Sequence, residues 1–325
     1  MNAAKPTFLV ADVGGTNTRV GLTDGARLRT DTVQKYPNAA HDDLEHVLSR
    51  FLRDNARSTV DATCVAVAGP VRGDAGELTN LAWSFSTTSL AKATGAARVE
   101  ILNDLQAQGH GLDGLDQGRL RQVYPGKPAA PHAARLVVGV GTGFNIAPVF
   151  ATDSGKIVPA SESGHGPLPV RTALELELSH YLTEKFGYPE IEEALSGRGL
   201  ACLYEFFAVR AGLDARKDAA QIMASMTQGD DPIAVSSVQQ FIHSLAIAIG
   251  HLALVQLPFG GIYLIGGVAR AVAPYFERFD FVDIMHEKGR FSELMHAFPI
   301  HVVEDDYAAL AGCAGHLAEV RARTA

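Results

Sequence analysis

Cysteine is scarce in this chain of 325 residues. Cys64, Cys202 and Cys313 stand far apart, with no CxxC pair and no Cys/His cluster at zinc spacing. That excludes a disulfide-stapled scaffold and a zinc ribbon, and three buried reduced thiols are expected. Long apolar runs are lacking too. Phe241 to Leu257 comes closest, but His243 and His251 interrupt it, so no membrane span is expected. The N-terminus, MNAAKPTFLVADVGG, has one Lys and one short apolar run, too little for a secretory signal. A cytoplasmic protein is the expectation. Positive charge is in deficit, with 28 Lys and Arg against 36 Asp and Glu and a net charge of −8. Such a surface repels phosphate backbones, so nucleic acid is not an expected partner. No GxxxxGK[ST] occurs, which excludes a P-loop protein.

What is present is an ordinary globular balance, 47% hydrophobic and 20% charged, in a chain long enough for two domains. Strands are expected at Thr7 to Val13 and Thr18 to Leu22, with Arg27 to Tyr36 as a candidate third. Leu44, Val47, Leu48, Phe51 and Leu52 then follow helical spacing, with Asp42 and Asp43 at the favourable end of the dipole. Further strands are expected at Ala62 to Ala68 and Val99 to Leu102. Residues 109 to 135 are rich in Gly, Pro and Ala, and the main domain boundary is placed at their start. After the strands Arg135 to Gly141 and Ile146 to Phe150 the chain turns mostly helical. The last strands are Ile262 to Ile265 and Ile300 to Val303, and a final helix runs from Tyr307 to Arg323.

Glycine pairs mark the chemistry. Asp12-Val-Gly14-Gly15-Thr16-Asn17 and Gly139-Val-Gly141-Thr142-Gly143 are both strand–turn–strand units. A glycine turn lets backbone N–H groups approach a phosphate, and Thr16 and Thr142 add hydroxyls. Asp12 can hold Mg²⁺, directly or through water. Either turn alone is more often a plain hairpin. A strand follows each turn, whereas a dinucleotide fingerprint needs a helix. Two such units suggest two related halves gripping a nucleotide. Gly266-Gly267 closes a third strand and could let an adenosine lie against backbone, or could simply admit a close helix.

The polar residues at strand and loop ends complete the set. Asn103-Asp104 follows a strand, where open α/β sheets build sites. Asp104 can take a hydroxyl proton during attack on phosphorus, and both residues also suit a helix N-cap. Glu162 and His165, three apart in a loop, suit a ligand with many hydroxyls or a solvated loop. Glu192 precedes Leu195-Ser-Gly197 and on spacing alone reads first as a solvated helix face beside Glu193.

In order, Asp12-Val-Gly-Gly-Thr-Asn17, Thr79-Asn80 with Trp83, Ile101-Leu-Asn-Asp104, Gly141-Thr-Gly143, Glu162-x-x-His165, Glu192-x-x-Leu-Ser-Gly197 and Gly266-Gly267 resemble bacterial glucokinases of the proteobacterial type. These belong to the hexokinase and actin-like ATPase superfamily and are related to the repressor–open-reading-frame–kinase (ROK) family. The resemblance covers nearly the whole chain. It implies a two-domain α/β, actin-like (ribonuclease H-like) fold with a nucleotide and sugar cleft between a smaller domain, 1–110 plus 306–325, and a larger one, 111–305. It implies ATP-dependent phosphorylation of glucose at O6, or of another hexose such as mannose, fructose or N-acetylmannosamine. A sugar-sensing regulator on the same scaffold is a rival, but the first motif begins at Asp12 and leaves no room for a DNA-binding module. Asp104 would be the general base, and Asn103, Glu162, His165 and Glu192 would bind sugar. The turns at Gly14-Gly15 and Gly141 to Gly143 would hold ATP phosphates with Mg²⁺. A homodimer is implied, and no structural zinc. Two departures stand out. Phe144-Asn145 replaces the usual Leu-Gly, so a side chain at Asn145 could narrow the turn, and Ser163 replaces a glycine.

Overall fold

The computed structural model describes residues 5–78, 81–153 and 155–324. Thr79 and Asn80, part of the sequence motif above, lie outside the described residues. The chain forms two compact units, one of Met1–Gln117, Thr152–Ala160 and Asp305–Ala325, the other of Gly118–Ala151 and Ser161–Glu304.

In the first unit, β1 (Phe8–Val13), β2 (Asn17–Asp24) and β3 (Arg27–Pro37) form an antiparallel ribbon. Then come α1 (Leu44–Asp54), β4 (Ala62–Val67), the short strands β5 (Val71–Arg72), β6 (Ala75–Glu77) and β7 (Ser84–Ser86), α2 (Thr87–Thr94), β8 (Arg98–Asn103) and α3 (Asp104–Gly111). The main sheet has the order β3-β2-β1-β4-β8, with β1, β4 and β8 parallel. Both its faces are covered, which is why β1 reads as a continuous apolar run. Leu9, Ala11 and Val13 pack on one face with α1 and the buried Trp83, while Phe8 and Val10 pack on the other with Leu310, Ala314 and Leu317. Asp43 caps α1 by accepting the His46 N–H at 2.7 Å. The three-strand β5–β7 sheet escaped sequence reading because strands of two or three residues show no period.

The excursion 152–160, placed in the larger domain from sequence, belongs to this unit. Lys156 Nζ donates to Asp113 at 2.7 Å and to the His110 carbonyl at 2.8 Å, and lies 3.1 Å from Glu319.

The second unit holds β9 (Leu120–Tyr124), β10 (Arg135–Val140) and β11 (Phe144–Thr152). The short strand Gly155–Ile157 of the first unit is β12. The helices α4 (Ala173–Phe186), α5 (Ile191–Ala194), α6 (Gly197–Arg210), α7 (Ala219–Gln228) and α8 (Pro232–Gln256) follow, then β13 (Ile262–Ile265), α9 (Gly267–Val272), α10 (Phe281–His286), α11 (Ser292–Met295) and β14 (Ile300–Val303). Within the unit the strand order is β11-β10-β13-β14-β9, with β10, β13 and β14 parallel. This repeats the first unit's plan of an antiparallel hairpin beside parallel strands.

Two expectations need correction. The Gly/Pro/Ala-rich stretch contains an edge strand, β9, antiparallel to β14, whose Arg121 and Gln122 hide the apolar alternation. And α8, by length and composition, is long and apolar enough to cross a membrane, contrary to the sequence reading. Its Phe241, Ile242, Leu245 and Ile249 are fully buried in the second unit's core, which accounts for that apolarity.

The last helix, α12 (Ala308–Thr324), packs against α3 at closest approach through glycines. A β-carbon at Gly312 would run into the Ala107 carbonyl oxygen, and one at Gly111 would come within 2.6 Å of the Ala308 carbonyl oxygen. The C-terminal helix therefore fixes the position of α3, the helix that begins with Asp104. Cys64, Cys202 and Cys313 are buried free thiols.

Candidate active site

In the first unit, register brings the predicted polar residues to one sheet edge. Val13 aligns with Val67, and Val67 with Asn103. Since these strands are parallel, Asp12 and Asn103-Asp104 emerge at the same carboxyl end. Asn103 is indeed an N-cap: its Oδ1 accepts the Leu105 N–H at 3.0 Å, and Gln106 returns a bond to the Asn103 N–H at 3.1 Å. Its amide nitrogen donates to the Gly69 carbonyl at 3.4 Å. Capping and site chemistry are thus two uses of one dipeptide. Asp104 opens the helix and accepts the Leu105 N–H at 2.9 Å.

The electrostatics are those of a proton acceptor. Burial first, and then the nearby negative charge of Asp12, push the Asp104 carboxyl up to about 7, although backbone N–H bonds and Asn103 oppose the rise. Asp12 is itself raised by burial, against the pull of Arg19. Arg19 Nη1 lies 3.3 Å from Asp12 Oδ2, directly across the hairpin. The sequence reading missed Arg19, and the hairpin register was the signal that could have found it.

The first glycine turn is braced from below. Buried Asn38 donates to the Gly14 carbonyl at 2.7 Å, accepts from Thr18 Oγ1 at 2.8 Å, and gives its backbone N–H to the Thr16 carbonyl at 2.9 Å. Thr16 itself stays exposed.

In the second unit, the turn Gly141 to Gly143 joins β10 to β11. The Gly141 N–H donates to the Gly143 carbonyl at 2.9 Å, and the Gly141 carbonyl accepts the Gly197 N–H at the start of α6 at 2.8 Å. Thr142 is exposed. A β-carbon at Gly141 would meet nothing within 4 Å, whereas one at Gly143 would lie 2.5 Å from Glu192 Oε2. Glu192 is no solvated helix face. It accepts the Phe144 N–H at 2.8 Å and Arg198 Nη2 at 3.0 Å, with its side chain 19% exposed.

Glu162 and His165 are also organised. His165 Nδ1 bonds to Glu190 at 2.7 Å, and His165 Nε2 lies 3.9 Å from Glu162 Oε2. That bond to Glu190 raises the His165 imidazole above its ordinary value. Glu190 was not singled out from sequence, because in the acidic run with Glu192 and Glu193 nothing marks it. The loop is stapled to the Glu190 segment, since Ile191 N–H donates to the Gly166 carbonyl at 2.9 Å and Leu168 N–H to the Pro189 carbonyl at 2.8 Å. Asn145, whose Cβ suggested a narrowed turn, extends its amide to the Ser161–Ser163 backbone.

The third glycine pair divides in role. Gly266 has φ +113°, and a β-carbon there would run into the Val140 carbonyl, so close backbone approach alone demands glycine. Gly267 is exposed with open space around it.

The fold is that of the actin-like ATPases, and the protein is a sugar kinase on that fold. A sequence model described as "Glucokinase" matches residues 9–320, so the chain belongs to the glucokinase family. It is 32% identical to a glucokinase from Synechocystis sp., covering 97% of this chain and 98% of that one. A glucokinase from Neisseria meningitidis is 29% identical, covering 95% of this chain and 94% of its own. Among solved structures, a glucokinase from an Antarctic psychrotroph matches with TM-score 0.85 and 30% identity over 96% of this chain and 98% of that one. The Balamuthia mandrillaris glucokinase in complex with glucose matches in fold, with TM-score 0.80 and 22% identity over 98% of this chain and 94% of that one.

The raised Asp104 has a stability consequence. Its folded value, about 7, lies above the ordinary 3.8, so the folded chain holds a proton that the unfolded chain releases. Wild-type stability therefore falls as pH rises from about 4 to about 7, and the cost of the buried charge is complete above that window. Asp104→Asn is expected to melt at a higher temperature than wild type at about pH 8, with the gap closing by about pH 4. Thermal melts at the two pH values check this, and equal melting temperatures at the higher one would contradict it.

Proposed function

We propose that this protein transfers the γ-phosphoryl group of ATP to O6 of glucose. The observation that carries the reading is the half-buried Asp104, lifted to about 7 at the edge that also presents Asp12 and the first glycine turn. A base is most effective when its affinity for protons lies near the working pH, so that it is both ionised and basic. Asp104 takes the hydroxyl proton as that oxygen attacks phosphorus. Asn103, Glu162, His165 and Glu192 bind the sugar hydroxyls; the carboxylates accept hydroxyl protons, and His165, its Nδ1 committed to Glu190, offers Nε2. Charge-assisted hydrogen bonds of this kind orient a hydroxylated ring.

The turns at Gly14-Gly15 with Thr16 and Asn17, and at Gly141 to Gly143, offer backbone N–H groups to the phosphates, and the exposed Gly267 offers backbone to the adenosine. Asp12 fits a magnesium ion that arrives with the nucleotide: it is a carboxylate with one cationic neighbour and a side chain still 18% exposed. Bound there, Mg²⁺ supplies charge neutralisation on the phosphates.

Two experiments test the proposal. With glucose and MgATP, phosphorus NMR is expected to show glucose 6-phosphate, and Asp104→Asn to lower kcat by roughly 10²-fold or more while glucose still binds. Product only from mannose, fructose or N-acetylmannosamine would reassign the sugar, and near-normal turnover in Asp104→Asn would remove it as the base. The second experiment separates the turn's two roles. Gly141→Val points into open space and is expected to weaken ATP binding at least about tenfold while sparing glucose. Gly143→Val strikes Glu192 and should weaken both. Calorimetry that shows unchanged ATP affinity in folded Gly141→Val would take the phosphates away from this turn.

A further inference from the structure

Asn145 stands near the start of β11, opposite Gly139 of β10. Its side chain carries one acceptor oxygen with two lone pairs and two N–H donors, four hydrogen bonds at most. All four are made. Nδ2 donates to the Ser161 carbonyl and, at 3.2 Å, to Glu162 Oε2. Oδ1 accepts the Ser163 N–H at 3.0 Å and the Ile146 N–H at 2.8 Å. The partners also fix which way the amide faces, because a flipped amide would set donors against two backbone N–H groups and an acceptor against a carbonyl and a carboxylate.

The network extends through the loop. Ser161 Oγ and Ser163 Oγ are 2.6 Å apart, and Ser163 N–H also reaches Ser161 Oγ at 3.2 Å. Glu162 is exposed, with 68% of its side chain accessible, so little packing holds it. Its backbone is clamped on both sides, through the Ser161 carbonyl and the Ser163 N–H, and its carboxylate is held by the same amide. The preceding residue, Phe144, uses its N–H to hold Glu192. Consecutive residues of one strand thus orient both carboxylates assigned to the sugar.

We propose that Asn145 is a positioning residue for sugar recognition: it orders the loop 161–163 and aims the Glu162 carboxylate, without touching the nucleotide. This rests on the reading of Glu162 as a sugar ligand. Preordering such a loop removes a cost that the sugar would otherwise bear on binding. Because the effect acts through glucose contacts, it separates from nucleotide binding and from the proton transfer at Asp104.

The test compares wild type with Asn145→Asp and Asn145→Ala, all checked by melting. Asn145→Asp keeps the shape and the acceptor oxygen but loses both donors and sets a carboxylate against Glu162. Both variants are expected to raise the glucose KM and the calorimetric glucose Kd on the order of tenfold or more, with kcat at saturating glucose and the ATP KM within about threefold of wild type. In wild type, the Ser163 amide should be protected from hydrogen exchange. A glucose KM within about twofold of wild type in the folded variants, an ATP KM rising by the same factor, or an unprotected Ser163 amide would each overturn the assignment. If wild type binds no sugar at all, the functional reading fails first and this one with it. If wild type binds glucose and Asn145→Asp binds it equally well, only this assignment fails.

Discussion

Two carboxylates delivered to the same end of an apolar sheet repel each other where water is scarce, and the first unit is arranged around that constraint. Asp12 is the penultimate residue of β1 and Asp104 begins α3, and parallel register leaves neither free to move away. The compensation is local. Arg19 balances Asp12 from across the hairpin, while the first turn of α3 and Asn103 supply hydrogen bonds to Asp104. What is not compensated remains as a proton affinity near neutrality, which is the property a base for hydroxyl activation needs. The glycine contact between α3 and α12 is part of the same arrangement: it makes the C-terminal helix a support for Asp104, some two hundred residues away in sequence.

In the second unit the problem is orientation instead of charge. Glu162, Glu192 and His165 are acidic or basic groups on short segments that would otherwise wander. The backbone of β11, the Asn145 amide and Glu190 each hold one of them. The glycine turn that precedes β11 is packed against Glu192, which sits where a β-carbon on Gly143 would go. A single short segment, Gly141 to Asn145, holds both Glu192 and Glu162.

Much of this was legible in the sequence for physical reasons. Apolar runs of strand length, ended by Gly-Gly or Asn-Asp, announce where a sheet delivers its polar residues, so Asp12, Asn103 and Asp104 could be picked out directly. Helical spacing at Leu44 to Leu52 gave α1 because one face is fully buried. Partners were less legible than principals. Arg19 matters only once the hairpin register pairs it with Asp12. Glu190 hides in an acidic run, and only its 2.7 Å contact with His165 distinguishes it. Asn145 was visible as a departure from the family pattern, but the side chain's direction decides its meaning, and sequence carries no such direction. The edge strand β9 was lost because an edge can tolerate Arg and Gln where a central strand cannot.

A half-buried, charge-crowded Asp104 that acts as the base must be ionised for phosphoryl transfer. The pH dependence of kcat/KM for glucose, at saturating MgATP, tests it most directly. An acid limb is predicted near pH 7, with activity falling about tenfold per unit below it as Asp104 takes up its proton. A profile that stays flat down to about pH 5, in a protein that remains folded there, would contradict the account.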